Sequence, residues 1–238
     1  MDISIALVTG ANKGIGKAIA REFVHRGLTV YVGSRSVERA ADAAAEIGGD
    51  ARPLLLDVTD AASIAAAAER IDALDVVVNN AGVSDDALPA QDEDVNAFRR
   101  IYETNVFGPV AVTNALLPLL RRSAHPRIVN ISSGTASLAW AAERMAGYRG
   151  VFASYRSSKA ALNALTVLYA QSLAEDGIKV NAFAPGLRRT GLNATTATTA
   201  ADGGDPAEAA AAVVRLALIG DDGPTGTFVN WDGAPVPW

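Results

Sequence analysis

Short apolar runs alternate with longer stretches of helical spacing along nearly the whole chain. Residues 3–9 are apolar up to Thr9, as a strand covered on both faces requires. Residues 14–26 put Ile15, Ile19 and Phe23 on one helical face and stop at Gly27. The alternation continues through strand 29–32, an alanine-rich helix 37–47 closed by Gly48 and Gly49, strand 53–56, helix 60–74 and strand 75–78. Residues 84–94 are polar and read as loop or a broken helix start. Residues 98–122 read as one long helical segment that Pro109 and Pro118 can bend. Strand 127–131, helix 154–175 and strand 179–184 follow, then residues 190–205 without a clear period, helix 206–219 and a last strand at 225–231. Such alternation predicts an α/β fold, a doubly wound parallel sheet of about seven strands with helices on both faces and right-handed crossovers. Neither a repeat nor a linker divides the chain, so residues 1–238 read as a single domain.

In sheets of this kind ligands bind outside the carboxyl ends of the strands. The polar punctuation there is Thr9-Gly10, Gly33-Ser34-Arg35, Asp57-Val58, Asn80-Ala81-Gly82, Ser132-Ser133 and Pro185-Gly186, all expected at one edge. Composition narrows the chemistry. A net charge of −5 argues against a nucleic-acid surface, which needs a basic field. No cysteine and only His25 and His125 leave no thiolate site and no histidine-rich metal site, and neither histidine is given a role. No apolar run is long enough for a bilayer and no basic leader precedes the first strand, so a soluble cytoplasmic protein without a membrane partner is expected.

The loop Thr9-Gly10-Ala11-Asn12-Lys13-Gly14-Ile15-Gly16 joins the first strand to the first helix. Glycines there permit a tight turn and let a pyrophosphate reach the helix N-terminus. The spacing Gly-x-x-x-Gly-x-Gly differs from the commoner Gly-x-Gly-x-x-Gly, but its place within a βαβ unit points to a dinucleotide. An NAD site would carry an acid near the end of the second strand. This chain has Ser34 and Arg35 there, and no carboxylate before Glu38. Arg35 can stack on adenine and pair with a 2′-phosphate, and Lys13 can reach the same group, so NADP(H) is expected. Asp57 either accepts from the adenine amine or caps the next helix.

Tyr155 and Lys159 stand four residues apart at the start of an alanine- and leucine-rich helix, on one face. A nearby ammonium stabilises phenolate and would bring the phenol towards a working pH.

These pieces together resemble the short-chain dehydrogenase/reductase family along essentially the whole chain. The resemblance rests on Thr9-Gly10-x-x-x-Gly14-x-Gly16, Asp57, Asn79-Asn80-Ala81-Gly82, Asn105, Ser133, Tyr155-x-x-x-Lys159 and Pro185-Gly186. The glycine loop, Asn105-Val106-Phe107-Gly108 and the Trp238 ending look most like the carbonyl-reductase branch. It implies a Rossmann-type fold and a hydride reaction. Tyr155 would be the general acid or base, and Lys159 would lower its pKa and hold the nicotinamide ribose. Ser133, rather than Ser132, would hydrogen-bond the substrate oxygen. Asn105 would hold a water leading to Lys159, or merely satisfy a kink near Pro109. The implied cofactor set is Gly10, Asn12, Lys13, Gly14, Ile15, Gly16, Ser34, Arg35, Asp57, Val58, Asn80, Ala81, Gly82, Tyr155, Lys159, Pro185, Gly186 and Thr190, with no metal.

Residues 137–153, with Trp140, Met145, Tyr148 and Phe152, would line a substrate pocket or pack on the domain or a neighbouring subunit. Residues 188–205 occupy the place of a substrate lid, and Arg188 and Arg189 would meet cofactor phosphates, a carboxylated or carrier-bound substrate, or solvent. The reading is an NADPH-dependent reductase of a small carbonyl, or dehydrogenase of the alcohol. Its alternatives are a 3-oxoacyl-thioester reductase and a non-catalytic NADP-sensing regulator. A homo-oligomer, dimer or tetramer, is expected, with a monomer as the alternative if the residues before Tyr155 block the pairing face.

Overall fold

The computed structural model describes residues 3–190, 192 and 203–238. Seven strands form one parallel sheet: β1 (Ile5–Val8), β2 (Thr29–Ser34), β3 (Ala51–Leu55), β4 (Val76–Asn79), β5 (Arg127–Ile131), β6 (Lys179–Ala184) and β7 (Phe228–Asn230). Their order is β3-β2-β1-β4-β5-β6-β7. The direction of winding reverses between β1 and β4, which pair through Ala6 with Val76 and Val8 with Val78.

Each strand divides its side chains between two cores by the two-residue period of a pleated strand. Ala6, Val8, Val30, Val32, Val76 and Val78 face α1 (Gly14–His25), α2 (Val37–Ile47) and the last helix. Leu7, Tyr31, Val77 and Ile128 face the other way, against α3 (Ala61–Glu69) and residues of the helices that follow. The remaining helices are α4 (Val95–Tyr102), α5 (Gly108–Leu120), α6 (Leu138–Arg144), α7 (Ala153–Ser172) and α8 (Pro206–Ala217). On the α1 side Phe23 and Phe183 are fully buried; on the other, Leu7, Leu74 and Leu120.

The long helical reading of 98–122 is interrupted. A π turn, Glu103–Phe107, joins α4 to α5, so the segment advances by one extra residue at Asn105. Helix α3 ends at Glu69 rather than at 74, and β3 starts at Ala51 rather than at 53. Residues 137–152 contain more order than their pattern suggested. Ser137 caps α6 by accepting from Trp140 N, and a 3₁₀ turn, Ala146–Tyr148, follows. Of the stretch 188–205, residues 191 and 193–202 lie outside the described residues.

Both outer strands are finished on their free side. In β3, Leu56 N donates to Ser34 O, and alternation turns the nitrogen of Pro53 outward, where it has no proton to offer. Along β7 the C-terminal residues fold back. Val236 N donates to Phe228 O, Asn230 N donates to Ala234 O, and Trp238 stacks on Phe228 at 5.5 Å.

Candidate active site

At the carboxyl edge of the sheet a cleft of about 430 Å³ runs from the end of β2 to the start of α7. Its floor is the loop between β1 and α1. Gly10 and Gly14 lie in the left-handed region, at φ of 61° and 57°. Gly16 is required for a different reason. A Cβ there would stand 2.3 Å from Asn80 Nδ2 and 2.7 Å from Gly10 O. Asn80 stitches the loop to β4: its Nδ2 donates to Thr9 O at 2.9 Å and to Gly10 O at 3.2 Å. The Thr9 hydroxyl in turn accepts from Asn80 N and Ala81 N. The N-cap of α1, Lys13, makes no side-chain capping bond, and the first turn holds no acid. Its free N–H groups and positive dipole end therefore stand ready for an anion at the floor of the cleft.

All but one of the expected cofactor residues line this cleft: Gly10, Asn12, Lys13, Gly14, Ile15, Gly16, Ser34, Arg35, Asp57, Val58, Asn80, Ala81, Gly82, Tyr155, Lys159, Pro185 and Thr190. Gly186 does not. It turns with φ of 68°, and a Cβ on it would meet Trp231 Cδ1 at 2.8 Å, so Trp231 can pack this closely only against a glycine. Asp57 does not cap α3, which is capped by Asp60. Its Oδ1 accepts from Thr59 N and Thr59 Oγ1. The cleft also contains Arg39, Thr59, Ser84, Thr104 and Leu192, which the sequence reading passed over. Arg39 had a readable signal: it sits in the first turn of the helix that Ser36 caps, four residues after Arg35. Together the free helix end, the glycine floor and the nearby cations fit the phosphates of a nicotinamide dinucleotide.

The other end of the cleft gathers Tyr155, Lys159 and the residues after β5. Lys159 is 4% exposed and its Nζ donates to Ile131 O at 2.8 Å. Burial lowers its pKa from 10.5 to about 8. Tyr155 departs from the expectation that the lysine would bring its pKa down. Burial raises it, and the opposing influence is a hydrogen bond with the Ser133 hydroxyl, not the Lys159 charge.

The two serines part in direction. Ser132 touches the cleft wall, but its hydroxyl donates inward to Asn163 Oδ1 at 2.6 Å. Ser133 Oγ lies 2.9 Å from Thr135 Oγ1 and reaches the Tyr155 phenol. Asn105, in the π turn, is fully buried, and its side chain is already occupied. Its Oδ1 accepts from Val83 N, and its Nδ2 donates to Val83 O and to Ser158 Oγ. Gly82 separates it from the lysine, since a Cβ there would be 3.4 Å from both Asn105 Oδ1 and Lys159 Nζ. The arrangement offers one phenol, one hydroxyl beside it and one buried amine at the end of a dinucleotide-sized cleft.

Residues 4–201 match the model of the short chain dehydrogenase family. The chain belongs to that family and is an oxidoreductase, working with a nicotinamide cofactor in hydride transfer to a carbonyl. It is 33% identical to (−)-isopiperitenone reductase of Mentha piperita, with 96% of each chain covered. An NADPH-bound carbonyl reductase from chicken fatty liver superposes with a TM-score of 0.86, at 29% identity and with both chains fully covered. A 3-ketoacyl-(acyl-carrier-protein) reductase from Brucella melitensis complexed with NADH gives a TM-score of 0.84 at 27% identity, covering 95% of this chain and 96% of that one. Among the described residues no helix is long and apolar enough to cross a membrane, and no group of acidic or histidine side chains could hold a metal.

Proposed function

We propose that this chain reduces the carbonyl of a small organic substrate with NADPH, and oxidises the corresponding alcohol in the reverse direction. The observation that carries the reading is the charge at the two ends of one cleft. Lys13, Arg35 and Arg39 stand at the adenosine end, with Ser34 and no carboxylate at the close of β2, while Tyr155 and Lys159 stand at the other, with Ser133 behind them acting on the Tyr155 phenol. Three cations suit a 2′-phosphate, and an acid that would suit a bare ribose hydroxyl is missing from that position. The glycine loop and the free N-terminus of α1 would hold the pyrophosphate, Asp57 and Val58 the adenine, and Asn80, Ala81, Gly82, Pro185 and Thr190 the nicotinamide half.

When bound, the dihydronicotinamide supplies the hydride. The chain supplies the rest. Ser133 would donate a hydrogen bond to the carbonyl oxygen and stabilise the negative charge that grows there. Tyr155 would donate its phenolic proton to that oxygen, and in the reverse direction its phenolate would take the proton from the alcohol. Lys159 would hold the nicotinamide ribose and, while protonated, favour the phenolate. Asn105 would act by fixing Val83 and Ser158 around this lysine, with a water leading to it. Residues 137–153 would form one wall of the substrate site. The exposed Phe107 and Leu168, on the faces of the π turn and α7, would pair two copies of the chain.

The similarity to a 3-ketoacyl-(acyl-carrier-protein) reductase keeps an acyl-thioester substrate as a second reading. A panel of ketones, quinones and acyl thioesters, followed by NADPH absorbance with NADH alongside, separates the two. Replacing Tyr155 by Phe should abolish turnover and leave NADPH binding intact. Faster oxidation of NADH would sink the cofactor assignment, and undiminished turnover by Tyr155→Phe would sink the role of the phenol.

A further inference from the structure

Helix α7 carries both Tyr155 and Lys159, yet it starts without a local cap. Its N-cap is Phe152, in the left-handed region at φ of 59°, and no side chain of its own neighbourhood bonds the first turn. The N–H groups that this leaves open are met from sixty residues earlier in the chain. Glu93 Oε1 accepts from Ala153 N, and Glu93 Oε2 accepts from Ser154 N at 2.9 Å. One carboxylate thus spans two successive donors at the positive end of the helix, immediately before Tyr155. Two further contacts run alongside it: Phe152 N donates to Leu88 O at 3.2 Å, and Pro89 pairs with Val151 in an antiparallel bridge.

We propose that Glu93 is a positioning residue for the proton donor. The polar segment 83–94 leaves the cofactor floor at Gly82, and Glu93 ties its far end to the first turn of α7. Floor and phenol are therefore held in one frame by this carboxylate, alongside the backbone contacts of Leu88 and Pro89. Next to this tie, Phe152 ends the wall formed by α6 and the 3₁₀ turn in a left-handed backbone conformation, φ 59°, that is uncommon for a non-glycine residue, and its N donates to Leu88 O. Because hydride transfer depends on the spacing between the reacting carbon and the proton donor, loosening this tie alters turnover more than it alters affinity. The inference rests on the reading of Tyr155 given above.

The test compares wild type with Glu93→Ala, Glu93→Gln and Asp85→Asn. The last removes a carboxylate from the same segment, one whose side chain pairs with Arg100 at 2.7 Å and accepts from Asp86 N, neither of which lines the cleft. Amide hydrogen exchange at Ala153 and Ser154 is measured in the free protein. kcat and KM are measured with 9,10-phenanthrenequinone, and the Kd of NADPH by fluorescence. Glu93→Ala should exchange faster at both amides and lose about 10- to 100-fold in kcat, with KM and the NADPH Kd unchanged. Glu93→Gln, which keeps one carbonyl acceptor, should recover much of that loss. Asp85→Asn should stay within about twofold of wild type, as expected for an exposed pair. Wild-type exchange at Ala153 and Ser154 in Glu93→Ala would overturn the proposal, as would an unchanged kcat or a kcat that falls only in step with NADPH binding. A wild-type protein that reduces neither the quinone nor any ketone overturns the reading of Tyr155 instead, and the exchange data then still report whether Glu93 holds the helix.

Discussion

Replacing Lys159 by methionine should remove turnover and yet stabilise the free protein at neutral pH. The amine is 4% exposed, and burial lowers its pKa from 10.5 to about 8. That gap corresponds to about 3.4 kcal/mol of preference for the neutral amine. The unfolded chain keeps the proton up to about pH 10.5, the folded chain only up to about 8. Between those values the unfolded state binds more protons, so this group makes folding more favourable as pH rises through the window. Below pH 8 the ammonium is charged in both states and its desolvation cost is present in full. Methionine carries no charge and fills irregular space well, but it leaves Ile131 O without its donor. Setting about 1–3 kcal/mol for that carbonyl against the cost removed, the variant should gain about 1–2 kcal/mol at pH 7. Urea unfolding of both proteins at pH 7 and pH 9.5 measures the effect. Wild type should gain about 2 kcal/mol relative to the variant over that interval. A difference between the two proteins that stays the same at both pH values would refute the claim that the amine is desolvated in the free enzyme.

Two further substitutions probe the opposite end of the cleft. Gly16→Ala drives a methyl against Asn80 Nδ2 and Gly10 O and breaks the two hydrogen bonds from Asn80, at about 1 kcal/mol each. Its Tm should fall by about 4–8 °C, and NADPH should protect it less than wild type in a thermal melt. An unchanged Tm would show that the approach of loop and strand is looser than described. Reversing charge at Arg35 and Arg39 together should raise the KM for NADPH relative to NADH by more than about 100-fold, since charge-assisted contacts are worth about 1.5–3 kcal/mol each. Equal effects on both cofactors would remove these arginines from the 2′-phosphate.

Much of this arrangement could be read from the chain because the strand ends carry local constraints. Gly10, Gly14 and Gly16 mark close approach and unusual backbone directions, and Arg35 stands where an acid would otherwise be. What could not be read is whatever depends on contacts distant in sequence. The π turn at Asn105 leaves no mark in the apolar spacing of 98–122, because it inserts a single residue without a break in composition. The state of Tyr155 depends on burial and on Ser133, not on the i, i+4 spacing to Lys159 that drew attention to the pair. The close packing of Trp231 on Gly186, from 45 residues further on, has no mark in the local sequence. Glu93 sits in a run of acids and becomes distinctive only when Ala153 and Ser154 come to face it. Short α6 was missed because its seven residues span too few turns for a period to emerge.

The finished edges of the sheet bear on how this chain behaves when crowded. A parallel sheet with open borders is a template on which foreign strands can grow, and fibrous aggregates start from such borders. Here one border offers Pro53 and the other is already hydrogen-bonded to the chain's own tail through Val236 and Ala234. The second protection is conditional. It forms only when the last residues have been made and have closed over Phe228, so a chain truncated before Ala234 exposes β7 along its length. Such a chain should precipitate at concentrations the 238-residue chain tolerates, although every residue of the cleft is still present.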